Sequence, residues 1–286
     1  MPRATWNVAA VQMNSNHHRT RNRRQAESLV RAAAAAGADL VALPENFSYL
    51  RTEGTRVTHA ERLDGELVAW LSGLARGLRI HLLAGSIPEA IPRSPRIHNT
   101  SVLLGPDGAV LATYRKMHLF DIDIRGGAVL QESRFVVPGT APVIADTPLG
   151  RLGLTICYDL RFPELYRRLA LDGALVLFVP AAFTAYTGPH HWLPLLQARA
   201  IENQCWVVAP AQAGRHNATR ESFGHTAVFD PWGKLVGLVE RPEPGFVIAK
   251  IDYRAQDRIR AGLPCLRHAR RELHPGGWPA DRRARP

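Results

Sequence analysis

The sequence predicts a layered α/β fold in a single domain, and three observations carry that prediction. Strand-like and helix-like segments alternate as βαβαβ through residues 6–87, the order that lays helices over a sheet. Further along, hairpins with strong turn signals mix with more βα units, which calls for two sheets rather than one. Neither a Pro/Gly/Ser-rich linker nor an internal repeat divides the 286 residues, so a length that would allow about two average domains is read as one large one.

Each element has its own signal. Residues 6–13 alternate apolar and polar and read as a strand. Residues 20–36 read as a helix that Gly37 ends. Residues 39–44 form a buried strand running into Glu45. A helix over 59–78 and a strand over 80–87 complete the first run. Strands 101–104 and 109–112 flank the turn Gly105-Pro106-Asp107-Gly108. Strands 142–145 and 151–157 flank Thr147-Pro148-Leu149-Gly150. Pro163 suits the first turn of a helix over 163–171. A strongly apolar strand over 174–180, a helix over 189–203 and a strand over 205–209 follow. Strands 227–229 and 235–238 flank Asp230-Pro231-Trp232-Gly233, residues 246–251 make the last strand, and 254–260 a short helix. The domain is expected over 1–266, with 267–286 as a basic tail.

Composition excludes several classes. The chain is 46% hydrophobic and 21% charged, as globular proteins are and disordered ones are not. Three cysteines do not build a disulfide scaffold. No apolar run of about 18 residues is present, so no membrane span is expected. The segment 7–13 is too short and too alternating for a secretory signal, and a cytoplasmic protein is expected. The net charge is +11, and Lys116, Lys234 and Lys250 are the only lysines among 36 basic residues. Basic residues cluster at 17–24 and in the tail. No nucleic-acid motif accompanies them, so they are read as a solvated helix face and a tail, with no nucleic-acid partner. A positive field also favours an anionic small substrate.

Three residues stand out chemically. Cys157 ends the run Leu152-Gly153-Leu154-Thr155-Ile156 and precedes Tyr158-Asp159-Leu160-Arg161-Phe162-Pro163-Glu164. A cysteine on a sharp turn between strand and helix is lifted out of the backbone beside peptide N–H groups that can bind an oxyanion. By position alone it is equally a small buried hydrophobe, the role expected of Cys205. As a nucleophile it needs a base, because a free thiol is mostly protonated at neutral pH. Glu45 ends a strand where open sheets place their ligands; the alternative is an exposed strand-end charge. Lys116, in Tyr114-Arg115-Lys116-Met117-His118-Leu119-Phe120, is a rare lysine in an apolar-aromatic setting; the alternative is a surface lysine. No metal-ligand spacing and no phosphate loop appears, and no cofactor is expected.

Glu45, Lys116 and Cys157, in this order, resemble the Glu–Lys–Cys triad of the nitrilase superfamily of carbon–nitrogen hydrolases. The matching segments are Leu43-Pro44-Glu45-Asn46, 114–120 and 156–165, and the resemblance runs from Ala9 to about Leu266. Residues 183–192, 198–204, 211–217, 224–226 and 230–233 resemble the superfamily's Nit branch of amidases. Departures are Ala181-Ala182 and the loop Ile124-Arg125-Gly126-Gly127, which bear on substrate identity.

The resemblance implies a nitrilase-like αββα four-layer sandwich, a homodimer or larger homo-oligomer with helices of two subunits face to face, and a small-molecule amide substrate. It implies Cys157 as nucleophile, Glu45 as general base and acid, and Lys116 with the Tyr158 backbone N–H as oxyanion donors. Glu132, which its own surroundings would leave a loop surface charge, matches the family's second carboxylate. Arg161 matches a carboxylate-binding position, and Phe183 and Thr187 match pocket positions that could equally be structural. The substrate expected is the amide of a carboxylate-bearing molecule, deaminated glutathione first. The alternatives are 2-oxoglutaramate (ω-amidase), an N-carbamoyl amide, or an inactive binding or scaffold protein.

Overall fold

A computed structural model describes residues 3–52, 54–123 and 129–270. The loop 124–127 and the tail beyond 270, both singled out in the sequence, lie outside the described residues.

Two sheets face each other. The first has the order β17-β1-β2-β3-β5-β4, with β6 also on β5. Its strands are β1 (Thr5–Gln12), β2 (Leu40–Ala42), β3 (His81–Leu83), β4 (Ile87–Ala90), β5 (Ile97–Leu104), β6 (Val110–Arg115) and β17 (Gly245–Asp252). The second has the order β16-β15-β12-β11-β10-β9: β9 (Val143–Thr147), β10 (Gly150–Leu154), β11 (Val176–Phe178), β12 (Trp206–Ala209), β15 (Ala227–Phe229) and β16 (Leu235–Leu238). β1, β2 and β3 pair in parallel, as do β10, β11 and β12, and antiparallel strands complete each sheet.

The period of two in β1 assigns the layers. Val8 and Ala10 point into the core shared with the second sheet, among Leu83, Leu152 and Phe178. Ala9 and Val11 point the other way, against Ala26 and Val30 of α1 (Arg19–Ala35) and Leu71 of α2 (Glu66–Leu78). Alternation thus buries both faces, which no single two-layer arrangement could do. On the far side, α3 (Pro163–Leu171) and α4 (Gly188–Asn203) cover the second sheet through Leu165, Leu169, Trp192 and Leu196. This is the αββα sandwich. Each fully buried leucine contributes about 2 kcal/mol, so the two cores hold the layers without disulfides. α5 (Tyr253–Gly262) and the short α6 (Cys265–His268) close the described chain. Among the described residues no helix is long and apolar enough to cross a membrane.

Two expectations are corrected. The helix expected from residue 59 begins at Glu66, because Glu61 spends its backbone on β4: its N–H donates to Pro88 O at 3.0 Å and its carbonyl accepts from Ala90 N–H at 2.9 Å. The strand expected over 80–87 is broken into β3 and β4, which follow one another along β5. Gly85 sits at the break, where a Cβ would lie 2.1 Å from the Pro44 carbonyl oxygen. Two small hairpins carried too little pattern to be foreseen: β7 (Asp121–Asp123) with β8 (Val129–Gln131), and β13 (Ala213–Arg215) with β14 (Glu221–Phe223).

Candidate active site

The strands of the two sheets deliver three loops to one place. The strand β10 ends at Leu154, and Cys157 follows at the head of a 3₁₀ turn spanning Cys157–Arg161. Its φ is +49°, a left-handed conformation that costs a non-glycine residue about 1–2 kcal/mol. The turn is held by its neighbours: Cys157 N–H donates to Pro180 O at 3.0 Å, and Ile156 N–H to Asp159 Oδ2 at 2.8 Å. Cys157 is 8% exposed. The next peptide N–H, of Tyr158, lies in the same tight turn.

Glu45 lies three residues beyond β2 and is buried rather than an exposed strand end. Asn46 beside it has φ +56° and donates its N–H to Ser86 Oγ at 2.9 Å. The Gln212 side chain donates to the Glu45 carbonyl at 3.0 Å and to Ser15 Oγ at 2.9 Å, and Ser15 Oγ donates to Phe47 O at 2.8 Å. The loop carrying the carboxylate is therefore clamped from β1's end and from the strand-end segment at 212. Lys116 follows β6 directly and is equally buried, its backbone tied to Asn99 O at 2.9 Å.

The side chains converge. Lys116 Nζ donates to Glu45 Oε1 at 3.0 Å and to Glu132 Oε2 at 2.9 Å. Glu45 Oε2 accepts the Ala182 N–H at 2.8 Å, so the Ala181-Ala182 departure leaves the backbone donor in place. Glu132 heads a 3₁₀ turn, accepts the Phe120 N–H at 2.7 Å, and is mostly buried rather than a loop surface charge. The Cys157 thiol lies close enough to Glu45 for the two to shift each other's protonation.

Electrostatics fix the resting protonation. Burial pushes the Cys157 thiol well up, and the Glu45 carboxylate beside it pushes the same way, against Lys116. Burial alone would raise Glu45, but Lys116 and the neighbouring thiol outweigh it and hold the carboxyl below its usual range. Burial would lower Lys116, but the carboxylates of Glu132 and Glu45 hold its ammonium well above the ordinary value. The proton thus rests on sulfur, between a carboxylate and an ammonium, in a site that titrates as a set.

Two residues of the site were missed in the sequence. Asn99 of β5, buried, donates Nδ2–H to Glu45 Oε1 at 2.9 Å and to Glu132 Oε1 at 3.4 Å. Asp159, fully buried, accepts from Tyr114 Oη–H at 2.7 Å, His118 N–H at 3.0 Å and His118 Nδ1 at 2.7 Å, besides Ile156. It therefore bolts the lysine segment to the cysteine turn. Nothing in the spacing announced Asn99; Asp159 stood inside a quoted segment without a role.

The remaining candidates share a cavity with Cys157. Arg161, Phe183 and Thr187 line a narrow space together with Phe120, Tyr158 and Ala182. The Arg161 guanidinium lies 5.0 Å from the Phe183 ring centre, and its Nη1 is 3.1 Å from His191 Nδ1. Arg161 ends the 3₁₀ turn two residues before α3. The rival cysteine, Cys205, is fully buried; its thiol donates to carbonyl oxygens, and burial pushes it up to about 11.

Known proteins resemble this chain over most of its length. The carbon–nitrogen hydrolase family model matches residues 7–260. The deaminated glutathione amidase of Synechocystis is 44% identical over 91% of this chain and 97% of its own length. The mouse omega-amidase NIT2 is 38% identical over 95% of this chain and 97% of its own. Among solved structures, the Caenorhabditis elegans NitFhit protein superposes with a TM-score of 0.87 at 37% identity, covering 96% of this chain and 67% of that one.

Proposed function

We infer the reaction from membership: the chain belongs to the carbon–nitrogen hydrolase family and is a hydrolase acting on amides. We propose deaminated glutathione, or a closely similar carboxylate-bearing amide, as its substrate. The observation that carries the reading is the buried Glu45–Lys116–Cys157 cluster, with Cys157 and Arg161 lining one cavity. A relative named for that substrate, similar over nearly its whole length, supports it.

The thiol proton passes to Glu45 as sulfur attacks the amide carbonyl, because attack is what makes the thiol acidic in so unfavourable a site. The oxyanion is met by the Lys116 ammonium and the Tyr158 N–H; a donor so placed is worth about 3 kcal/mol in the transition state. Protonated Glu45 returns its proton to the departing nitrogen, the C–N bond breaks, and a thioester remains on Cys157. Water attacks the thioester with Glu45 again as base, and the acid and the thiol are released. Glu132 holds Lys116 in place. Arg161 pairs with the substrate's carboxylate, with Phe183 and Thr187 as walls.

Turnover is tested by release of 2-oxoglutarate from deaminated glutathione, with 2-oxoglutaramate and an N-carbamoyl amino acid alongside. Cys157-dependent turnover of deaminated glutathione, abolished in Cys157→Ala, is the expected result. Preference for 2-oxoglutaramate would favour the ω-amidase reading, which the mouse relative supports. Preference for the carbamoyl compound would overturn both.

The subunit is further read as half of a homodimer packed through its outer helices. The exposed Ile201 of α4 and Trp232 near it suit such a contact. Light scattering at the mass of one chain would exclude it. A nucleophilic thiol also suits the reducing cytoplasm.

A further inference from the structure

We propose that Arg51 and Arg220 form a carboxylate-binding pole for the leaving amine, so that the site takes an amide anionic at both ends. The inference rests on the amidase reading and adds to it the side of the scissile bond on which each charge lies.

Cys157 stands where two cavities meet. Phe120, Cys157 and Ala182 line both. The narrow cavity is lined by Arg161 as well. The wider one is lined by Glu45, Lys116 and Glu132 near the sulfur and by Arg51 and Arg220 as well.

Glu45 decides which part of a substrate lies in which space. The group that returns a proton to the departing nitrogen must reach that nitrogen. Glu45 lines the wide cavity, together with Lys116. The leaving amine therefore lies in the wide cavity, and the acyl chain points into the narrow one with its carboxylate toward Arg161. An amide that releases ammonia places nothing beyond the nitrogen and makes no use of two cations there. A peptide-like amine with a terminal carboxylate does.

Arg51 is held by its side chain, and Arg220 sits on a closed turn. Arg51 Nη1 donates to Thr55 O at 2.8 Å, and its guanidinium stacks 4.7 Å from the Phe135 ring centre. The Arg220 carbonyl accepts the His216 N–H at 2.9 Å, which closes the turn carrying it. The Arg220 charge is felt at Glu45, where it helps to hold the carboxyl low.

The test compares deaminated glutathione with its analogue in which the glycine carboxylate is a carboxamide. A charge-assisted contact gives the wild type an about tenfold or larger preference in kcat/KM for the free carboxylate. Arg51→Gln and Arg220→Gln are expected to shrink that ratio toward one. Arg161→Gln is expected to lower both substrates together and keep the ratio. Equal losses on both substrates in the Arg51 and Arg220 variants would mean that these arginines act only through the field on Glu45, and would overturn the proposal. So would a wild type without preference. Should the wild type turn over neither compound, the substrate reading fails. The pole is then judged by calorimetric binding of cysteinylglycine and its C-terminal amide to Cys157→Ala. Carboxylate-dependent binding that Arg220→Gln removes sustains it, and equal binding overturns it.

Discussion

Lys116 shows most sharply what one residue does in this site. It lies between two buried carboxylates, and no other cation among the described residues is hydrogen-bonded to both. Lys116→Met would leave Glu45 and Glu132 facing each other without the ammonium between them. We expect activity to fall more than about a hundredfold and stability by about 3 kcal/mol, read by kinetics and by denaturant unfolding. The second prediction concerns His216, which clamps Ser15 beneath the Glu45 loop. Its Nδ1–H donates to Ser15 O at 2.7 Å, and its Nε2 accepts from Ser222 Oγ at 2.9 Å, an arrangement that suits the neutral ring. Burial and the nearby Arg220 hold its pKa down, from 6.5 to about 4. Below pH 6.5 the unfolded chain takes up a proton here that the fold refuses until about pH 4. Stability therefore falls on acidification through that window and is indifferent to this group above it. Chemical unfolding at pH 7 and pH 5 should differ by up to about 2 kcal/mol from this residue, a difference reduced in His216→Gln.

At the scale of elements, the site depends on contacts between loops more than on any one strand. Asp159 accepts four donors from the lysine segment and the cysteine turn. Asp159→Asn turns two of its acceptor positions into donors that face donors. Each mismatch costs about 1–3 kcal/mol, and both kcat and melting temperature should drop together. Gly85→Ala would drive a methyl group into the Leu43 and Pro44 carbonyls and shift the Glu45 loop. We expect at least a tenfold loss of kcat, and unchanged kcat would show that the loop does not feel its floor. The same scale explains what the sequence disclosed. Strands and helices with clean periods, such as 163–171 and the hairpin at 227–238, were legible because local pattern and tertiary burial agree there. The helix start at 66 was not, since Glu61 is drawn off by a strand far along the chain. Glu45, Lys116 and Cys157 were legible as unusual residues at unusual places, and through the resemblance. Asn99 was not, because an asparagine inside a strand has no local signature until the loop after β2 brings a carboxylate within 2.9 Å.

For the molecule as a whole, the charge balance of +11 now has a candidate use. Part of it is neutralised on the surface: Arg23 pairs with Glu66 at 2.7 Å, and Arg19 with Glu61, on the helix face read as solvated. Arg51, Arg161 and Arg220 instead line the cavities around Cys157. A dianionic substrate should therefore meet a field that salt screens, with KM rising severalfold between about 0.01 and 0.3 M ionic strength while kcat holds. A flat KM would remove steering from the account. The meeting of two cavities at one sulfur also sets an order of traffic. Once the amine has left the wide cavity, the acyl group remains seated in the narrow one, and the vacated side is where the next nucleophile arrives. Hydroxylamine added to the reaction should then compete with water for the thioester and divert product to the hydroxamate. The partition ratio should be independent of which amine departed, because every amide with the same acyl group passes through one common intermediate.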